Sequence, residues 1–206
     1  IALCLLALAG CRKKEKDVTW QTLPSGNTYE LEGMFFRNAD TGYVTGGDLY
    51  FNGALLKTID GGLSWSIMDS ISIKTLYDCQ FLSSLYGFAV GYDGKILRTY
   101  NGGSTWDLYQ GAWLPLNDVH FVNNDTGIIA GGIGYKQGVL MRTTDGGNSW
   151  SEQHIAKELR SLTFTDSLTG FASGYGVLLK TTDAGATWKT IDVRGDFFKK
   201  VVFPSK

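Results

Sequence analysis

The stretch TTDGGNSW, residues 143–150, combines hydroxyl side chains, an acid and two glycines with a terminal tryptophan. Acid, hydroxyl and glycine at such spacing suit a cation or phosphate site, and Trp150 suits a stacking platform for a sugar. Three further segments carry the same pattern: TIDGGLSW at 58–65, TYNGGSTW at 99–106 and TTDAGATW at 181–188. The terminal tryptophans at 65, 106, 150 and 188 are 41, 44 and 38 positions apart. This spacing predicts a repeat array built from four-stranded units.

A second block recurs upstream of each of these segments. It runs from Leu or Phe to Phe over six residues: LEGMFF at 31, LYDCQF at 76, LNDVHF at 116, LRSLTF at 159 and FKKVVF at 198. In every complete copy a glycine follows six residues after the phenylalanine, and another follows four later. Short segments rich in β-branched and aromatic residues, punctuated by Gly, Asn and Asp, predict strands and turns. We therefore predict an all-β β-propeller of four-stranded blades, with repeats near 31–65, 76–106, 116–150 and 159–188 and a partial one at 198–206.

The repeated motif is predicted to be a structural hairpin. An Asp at the start of a tight turn accepts hydrogen bonds from backbone N–H groups further along it, and glycine permits positive φ. The tryptophan would then pack between blades. Asn101 replaces the acid in the second copy and keeps a side-chain oxygen, a change that a catalytic acid or metal ligand would not easily tolerate. We predict no cofactor or metal here, and structural roles for Asp60, Gly62, Trp65, Asn101, Gly103, Trp106, Asp145, Gly147, Trp150, Asp183, Gly185 and Trp188.

The pattern Thr-x-Asp-x-Gly-x-Ser/Thr-Trp resembles the Asp-box, or bacterial neuraminidase repeat. The longer unit, with its Phe and Gly-x-x-x-Gly elements, resembles the photosystem II assembly-factor-like propellers. The resemblance covers residues 18–203 and implies that the boxes lie away from the ligand site. It also implies more blades than these repeats provide. Because Val18-Thr19-Trp20 looks like a lone outer strand and the chain has no initiator Met, we expect a fragment of a larger propeller.

The first 17 residues differ from the repeats. The apolar run 1–9 is too short for a bilayer span of about 20 residues and suits the core of a secretory signal. Leu8-Ala9-Gly10-Cys11 resembles the bacterial lipobox, which implies a signal peptide at 1–10, lipidation of Cys11 and a polar tether at 11–17. Several acyl chains anchor a protein stably. We expect a bacterial cell-envelope lipoprotein. Because Arg12 is not acidic, the resemblance favours the outer membrane, with periplasmic or surface exposure left open. Cys79 is then expected to be a core residue.

Aromatic residues recur in the loops of one predicted face. The net charge of −1 and a pI near 6.1 argue against nucleic-acid binding. In this topology the loops from second to third strand share a face with the loops from each outer strand to the next blade. Aromatics on such loops suit recognition of a protein or glycan, unless they only pack the rims of their own blades. The candidate residues are Tyr50, Tyr92, Tyr109, Trp113, Tyr135 and Tyr175.

A glycosidase is the alternative function, since Asp-boxes occur in that class. Such enzymes use two carboxylates at a defined separation. The candidates, among which the sequence selects no pair, are Asp48, Asp78, Asp118 and Glu152. Arg98 and Arg142 are not convincing members of a sialidase arginine triad, because Lys57 and Lys180 hold the same position in other repeats. These four cations are predicted to be surface residues of the hairpins.

Overall fold

The computed structural model describes residues 22–23, 25–26, 28–48, 50–72, 74–193 and 197–203. Sixteen strands in this part of the chain form four antiparallel sheets of four strands each. The described residues include no helix long and apolar enough to cross a membrane. The predicted signal peptide, the predicted tether with Cys11 and the strand predicted at Val18-Thr19-Trp20 lie outside the described residues.

Each sheet is one blade, with its strands hydrogen-bonded in chain order. Blade 1 comprises β1 (Glu30–Phe36), β2 (Gly42–Asp48), β3 (Asn52–Thr58) and β4 (Ser66–Ser72). Blade 2 comprises β5 (Leu76–Phe81), β6 (Gly87–Gly91), β7 (Lys95–Thr99) and β8 (Asp107–Gln110). Blade 3 comprises β9 (Leu116–Phe121), β10 (Gly127–Ile133), β11 (Gln137–Thr143) and β12 (Ser151–Ile155). Blade 4 comprises β13 (Leu159–Phe164), β14 (Gly170–Gly174), β15 (Val177–Thr181) and β16 (Lys189–Thr190). The first strands contact one another in order, β1 to β5 to β9 to β13, and so form the inner wall.

The constant interval from phenylalanine to glycine has a packing cause. Gly127 pairs with Phe121 across the β9–β10 ladder, and a Cβ on Gly127 would lie 2.6 Å from the Phe121 ring. Four residues on, a Cβ on Gly131 would lie 2.1 Å from the Pro115 carbonyl oxygen. Both contacts are too close for any side chain, so each glycine lets a neighbouring group lie flat on the second strand.

The apolar cores lie between the blades. We call the side of a blade that faces the next blade its outgoing face, and the side that faces the preceding blade its incoming face. Phe88 on the outgoing face of blade 2 stacks on Phe121 of blade 3, with ring centroids 4.5 Å apart. Trp150 lies edge-on to Phe88 and Phe121, at 6.2 and 5.9 Å. The box tryptophan therefore packs at the junction between two blades.

Residues 198–203 do not form the inner strand that the sequence predicts. The described part of this segment shows only an isolated bridge between Tyr175 and Phe197. Phe198 N donates to the Gly174 carbonyl oxygen at 3.1 Å, and Phe203 lies 4.9 Å from Phe171 by ring centroid. The segment follows the outgoing face of blade 4, but no described second strand pairs with it to complete a ladder. Cys79, by contrast, is a buried core residue as predicted.

Candidate functional site

The Asp-box at 143–150 is a closed hydrogen-bonded hairpin. Thr143 Oγ1 donates to Asp145 Oδ1 at 2.8 Å and accepts from Gly147 N at 2.9 Å. Asp145 Oδ1 also accepts from Ser149 N at 2.9 Å, and Asp145 Oδ2 accepts from Ser149 Oγ at 2.6 Å. Both carboxylate oxygens are thus engaged within the turn. The arrangement leaves the acid no evident part in binding a cation or phosphate.

The second box shows how asparagine replaces the acid. Asn101 Oδ1 accepts from Thr105 N at 2.9 Å, the same backbone bond that Asp145 makes. Asn101 Nδ2 donates to Thr105 Oγ1 at 2.8 Å, so the hydroxyl now acts as the acceptor. The hairpin keeps its bonds with no charge present.

The three boxes that contain Asp should make the stability of the protein depend on pH, whereas the box that contains Asn101 should not. Hydrogen bonds from Ser149 lower the pKa of Asp145 to about 2, and equivalent bonds lower those of Asp60 and Asp183 to about 2. A carboxylate whose pKa falls on folding contributes stability above its unfolded pKa of about 3.9. That contribution is lost as the pH falls toward 2.

We expect the variant Asp60→Asn, Asp145→Asn, Asp183→Asn to lose less of its melting temperature between pH 5 and pH 2 than the wild-type protein does. Thermal unfolding followed by circular dichroism at closely spaced pH values measures this difference. Asp166→Asn is the matched control, since the pKa of that carboxylate is also lowered, by backbone hydrogen bonds from Leu168 and Thr169, but it lies outside the boxes. An acid-induced loss in the triple variant equal to that of the wild type would contradict the assignment.

The cations before each box are not free surface residues. Lys57 Nζ donates to the Gly102 carbonyl oxygen at 3.0 Å, and Arg142 Nε donates to that of Ala184 at 3.0 Å. Arg98 is buried, with 8% exposure. Its Nη1 donates to the Gly147 carbonyl oxygen at 3.2 Å. The prediction of surface residues was wrong for these three, because each cation binds the box of the next blade.

Lys180, the fourth of these cations, lies over the Phe171 ring of its own blade, 5.6 Å from the centroid.

The loop face brings its predicted aromatics together in two pairs. Tyr50 and Tyr92 meet edge-to-face with centroids 5.9 Å apart, and Tyr135 and Tyr175 meet at 4.0 Å. Tyr135 has a φ of 68°, a strained value for a bulky residue, and its N–H donates to buried Glu158 at 3.0 Å. Glu158, which the sequence did not single out, thus helps to fix Tyr135 on this face.

Trp113 is the most exposed large apolar residue of the described chain, at 92%. It borders an open groove of about 400 Å³, whose other walls include Tyr92, Pro115 and Ile133. Three polar side chains of the groove have partners within the chain. Lys95 and Asp93 form an ion pair at 3.1 Å, and Gln110 Nε2 donates to the Ala112 carbonyl oxygen at 2.6 Å.

Tyr109 does not belong to this face. It lies on the outer strand β8, where its ring stacks on the Arg98 guanidinium at 4.6 Å. Its hydroxyl accepts a hydrogen bond from Arg98 Nη2. The prediction that Tyr109 lies in a loop was wrong, because β8 extends to Gln110. The ring instead lies beside the cation that reaches the next box.

Of the four candidate carboxylates, only Asp78 and Asp118 come together. They line a polar channel of about 700 Å³ along the inner strands, and their carboxyl groups are hydrogen-bonded to each other. Asp78 Oδ2 also accepts from Val119 N at 3.0 Å, and Asp118 Oδ2 accepts from Leu162 N at 2.8 Å. Burial raises the pKa of Asp78 to about 6 and that of Asp118 well above its usual value.

This pair does not have the geometry of a glycosidase. Carboxyl groups in contact leave no room for a sugar, since retaining enzymes hold them about 5 Å apart and inverting enzymes further. The other two candidates lie elsewhere. Asp48 caps its own turn by accepting from Tyr50 N at 3.0 Å, and Glu152 lies on the outer strand β12, 3.6 Å from His154.

Four blades with hydrogen-bonded hairpins, three Thr-Asp and one Thr-Asn, define an Asp-box β-propeller, together with the cores between the blades and the aromatics on the opposite loops. Comparison with known proteins narrows this class. A family model described as "Photosynthesis system II assembly factor YCF48" matches residues 68–150 and 113–197, and the chain belongs to this family.

Two solved structures, with TM-scores of 0.65 and 0.68, share the fold. YCF48 from Cyanidioschyzon merolae is 16% identical with a TM-score of 0.65, over 87% of this chain and 62% of that one. An ancestral GH74 enzyme is 17% identical with a TM-score of 0.68, over 87% of this chain and 26% of that one. A structure of YCF48 bound to D1 peptide is 15% identical with a TM-score of 0.49, over 82% of each chain. No curated protein matches the sequence. The chain therefore spans about a quarter of the length of the GH74 enzyme and under two thirds of the length of YCF48 from Cyanidioschyzon merolae.

Proposed function

We propose that this chain is part of a lipid-anchored, extracytoplasmic scaffold that binds a protein partner on its loop face without catalysis. The observation that carries the proposal is Trp113, which is 92% exposed beside a groove. Exposed aromatic side chains clustered on loops over a rigid scaffold are common anchors of protein interfaces. A family described as an assembly factor is consistent with a binding role, while the identity of the partner is not carried over from it.

The chemistry of the groove favours an apolar protein side chain over a sugar. A sugar site needs unpaired donors and acceptors beside its aromatic platform, whereas Lys95, Asp93 and Gln110 are already engaged with one another or with backbone oxygens. Ile133 lines the same groove as Trp113. Phe51 and Tyr135 are exposed large side chains in the loops that follow other second strands. We therefore place a glycan second as a partner, and a glycosidase is not favoured because Asp78 and Asp118 bind each other.

We expect the variant Tyr92→Ala, Trp113→Ala, Tyr135→Ala to lose partner binding while its melting temperature changes little. Truncating a hot-spot aromatic costs about 2 kcal/mol or more, which is roughly a 30-fold loss of affinity. The measurement is affinity capture from an envelope extract with quantitative mass spectrometry, followed by titration of the identified partner against the purified chain.

Ile59→Ala, Leu63→Ala is the matched control, since both residues are large, apolar and exposed in an Asp-box turn. This control should retain the partner. Equal capture by the wild type and the triple variant would reject the loop face. Competition by a purified polysaccharide, with no protein captured, would assign the face to a glycan.

The lipid anchor rests on the lipobox-like stretch before Cys11. We expect a clickable fatty-acid analogue to label the protein expressed from its complete gene in a bacterial host, and Cys11→Ala to lose the label and leave the membrane fraction. Cys79→Ala is the control, because Cys79 is buried in the core and should not affect labelling. Label retained in Cys11→Ala would remove the anchor from the proposal without affecting the loop face.

A further inference from the structure

Asp78 and Asp118 connect three inner strands, β5, β9 and β13, which we call the channel wall. Asp78 on β5 accepts from Val119 N of β9 at 3.0 Å, and Asp118 on β9 accepts from Leu162 N of β13 at 2.8 Å. The two carboxyl groups are also hydrogen-bonded to each other. A row of contacts therefore runs from blade 2 through blade 3 to blade 4.

The bond between the two carboxyl groups requires a proton. An ionised carboxylate only accepts hydrogen bonds, whereas a protonated one also donates. Two ionised carboxylates in contact would repel each other, and removal from water makes the repulsion stronger. In this geometry the pair therefore holds one proton, which belongs to the pair and not to either residue.

No cation of the described residues forms an ion pair with either carboxyl group. Lys200 lowers the pKa of both, but burial, which raises the pKa of each, has the larger effect. The neighbouring second strands β6 and β10 carry no titratable side chain. The other titratable side chains that line the channel are Glu32 of β1, Tyr77 of β5, Arg160 of β13, Tyr175 after β14, and Lys199 and Lys200 of the segment 197–203.

The fold does not require an acid at this position of the inner strand. Gly33 holds the position in blade 1, and Ser161 holds it in blade 4. The hydroxyl of Ser161 is buried and has no hydrogen-bond partner among the described residues. Two acids in contact on adjacent blades are therefore a feature of this junction and not of the repeat.

We propose that the Asp78–Asp118 pair is a pH-sensitive junction, which joins blades 2, 3 and 4 while it holds one proton and loosens the channel wall when that proton is released to water. Release leaves two negative charges in contact on β5 and β9. The two carboxylates then separate, and each takes with it a bond to the backbone of the next blade.

The sign of the pH dependence follows from the raised pKa values of the pair. An aspartate in the unfolded chain loses its proton at a pKa of about 3.9, whereas the folded pair keeps one proton to higher pH. The stability that the proton contributes is full below about pH 4. It is lost as the pH rises through the folded pKa values, of which that of Asp78 is about 6 and that of Asp118 is well above its usual value.

Three nearby groups set the pH range of the test. Burial lowers the pKa of His120, so its effect on stability has the opposite sign and ends near its unfolded pKa of about 6.5. Burial raises the pKa of the Cys79 thiol, so this group affects stability only above about pH 8. Burial also raises the pKa of Glu32, and this contribution has the same sign as that of the pair. A variant of the pair is therefore needed to separate the two.

Thermal unfolding of the purified chain between pH 6 and pH 8 tests the proposal with the variant Asp118→Asn. The asparagine amide can donate to Asp78 and its oxygen can accept from Leu162 N, so the contact remains without a shared proton. We expect the wild-type melting temperature to fall by about 3 °C or more over this range. Asp118→Asn should fall by less than half as much. Asp125→Asn, which removes an exposed carboxylate from the same blade, should fall as the wild type does.

Carbon-13 NMR of the chain labelled at its aspartate carboxyl groups gives a direct measurement of the proton. One resonance of the wild type should titrate above pH 6, and it should be missing in Asp118→Asn. Labelling aspartate alone leaves Glu32 out of the spectrum. Complete ionisation of every wild-type aspartate at pH 6 would overturn the proposal, and this result requires no variant to fold. A wild-type melting temperature that does not fall, or an equal fall in Asp118→Asn, would also overturn it.

Discussion

Replacing Trp150 by alanine is expected to lower the free energy of unfolding by about 3 kcal/mol, near the lower end for core aromatic truncations because the side chain is half-buried. Trp150 packs edge-on against Phe88 of blade 2 and Phe121 of blade 3. Alanine would open the junction between the two blades and remove both aromatic contacts. Chemical denaturation followed by circular dichroism would measure the change in midpoint and slope.

Trp113→Ala is the matched control for Trp150→Ala. The two changes remove the same atoms, but Trp113 is exposed on the loop face, so its loss should cost less than about 0.5 kcal/mol. Trp65→Ala should fall between them in the 206-residue chain, since among the described residues Trp65 packs within blade 1. Equal losses for Trp113→Ala and Trp150→Ala would show that the box tryptophan does not hold the blades together.

The repeat makes much of the fold predictable from sequence. Each six-residue block ending in Phe was expected to be an inner strand, and β5, β9 and β13 begin and end at the predicted residues. Internal copies supply what a single sequence otherwise lacks, because a feature that recurs in every repeat reflects a contact made in every repeat. The interval from Phe121 to Gly127 is such a feature, and the structure shows the ring lying on the glycine.

Features of a single repeat were harder to predict. Glu158 has an acidic counterpart in blade 1, Glu30, but Thr75 and Pro115 hold this position before β5 and β9, so no constant pattern pointed to its contact with Tyr135. Tyr109 was placed on the loop face because the end of a strand depends on pairing with β7, which local sequence does not reveal. Residues 198–203 fit the strand pattern, yet strand formation also needs a paired neighbour.

The candidate site was predictable in position and less so in geometry. Topology places Tyr50, Tyr92, Tyr135 and Tyr175 on one face, because each follows a second strand. Which of them touch depends on the distances between blades. Sequence alone also gave no reason to expect the ion pair between Lys95 and Asp93, or the hydrogen bonds from Gln110 to the backbone oxygens of Asp93 and Ala112. These contacts support the proposal of an apolar protein partner.

Replacing Arg98 by alanine is expected to cost about 2 kcal/mol of unfolding free energy. The side chain is buried, and it joins Gly147 and Asn148 of blade 3 to Tyr109 of blade 2. Hydrogen bonds from a charged donor contribute about 1.5–3 kcal/mol. The buried Nε of Arg98 has no partner in the described structure, and this unmet donor offsets part of the gain. Alanine would leave the Gly147 carbonyl and the Tyr109 hydroxyl without their donor.

The variant Arg98→Lys distinguishes the bond to the Gly147 carbonyl of blade 3 from the bond to Tyr109 within blade 2. Lys57, at the equivalent position of blade 1, shows which of these bonds a lysine can make. Lys57 reaches one box carbonyl, that of Gly102, and a lysine at 98 should likewise keep the bond to blade 3. A compact ammonium cannot supply the several directed donors of the guanidinium fork, so the bonds to Asn148 and Tyr109 should not both survive. We expect Arg98→Lys to lose less than half as much stability as Arg98→Ala in the same denaturation experiment. Equal losses would mean that the fork on Tyr109 and Asn148, and not the bridge to the box carbonyl, stabilises this junction.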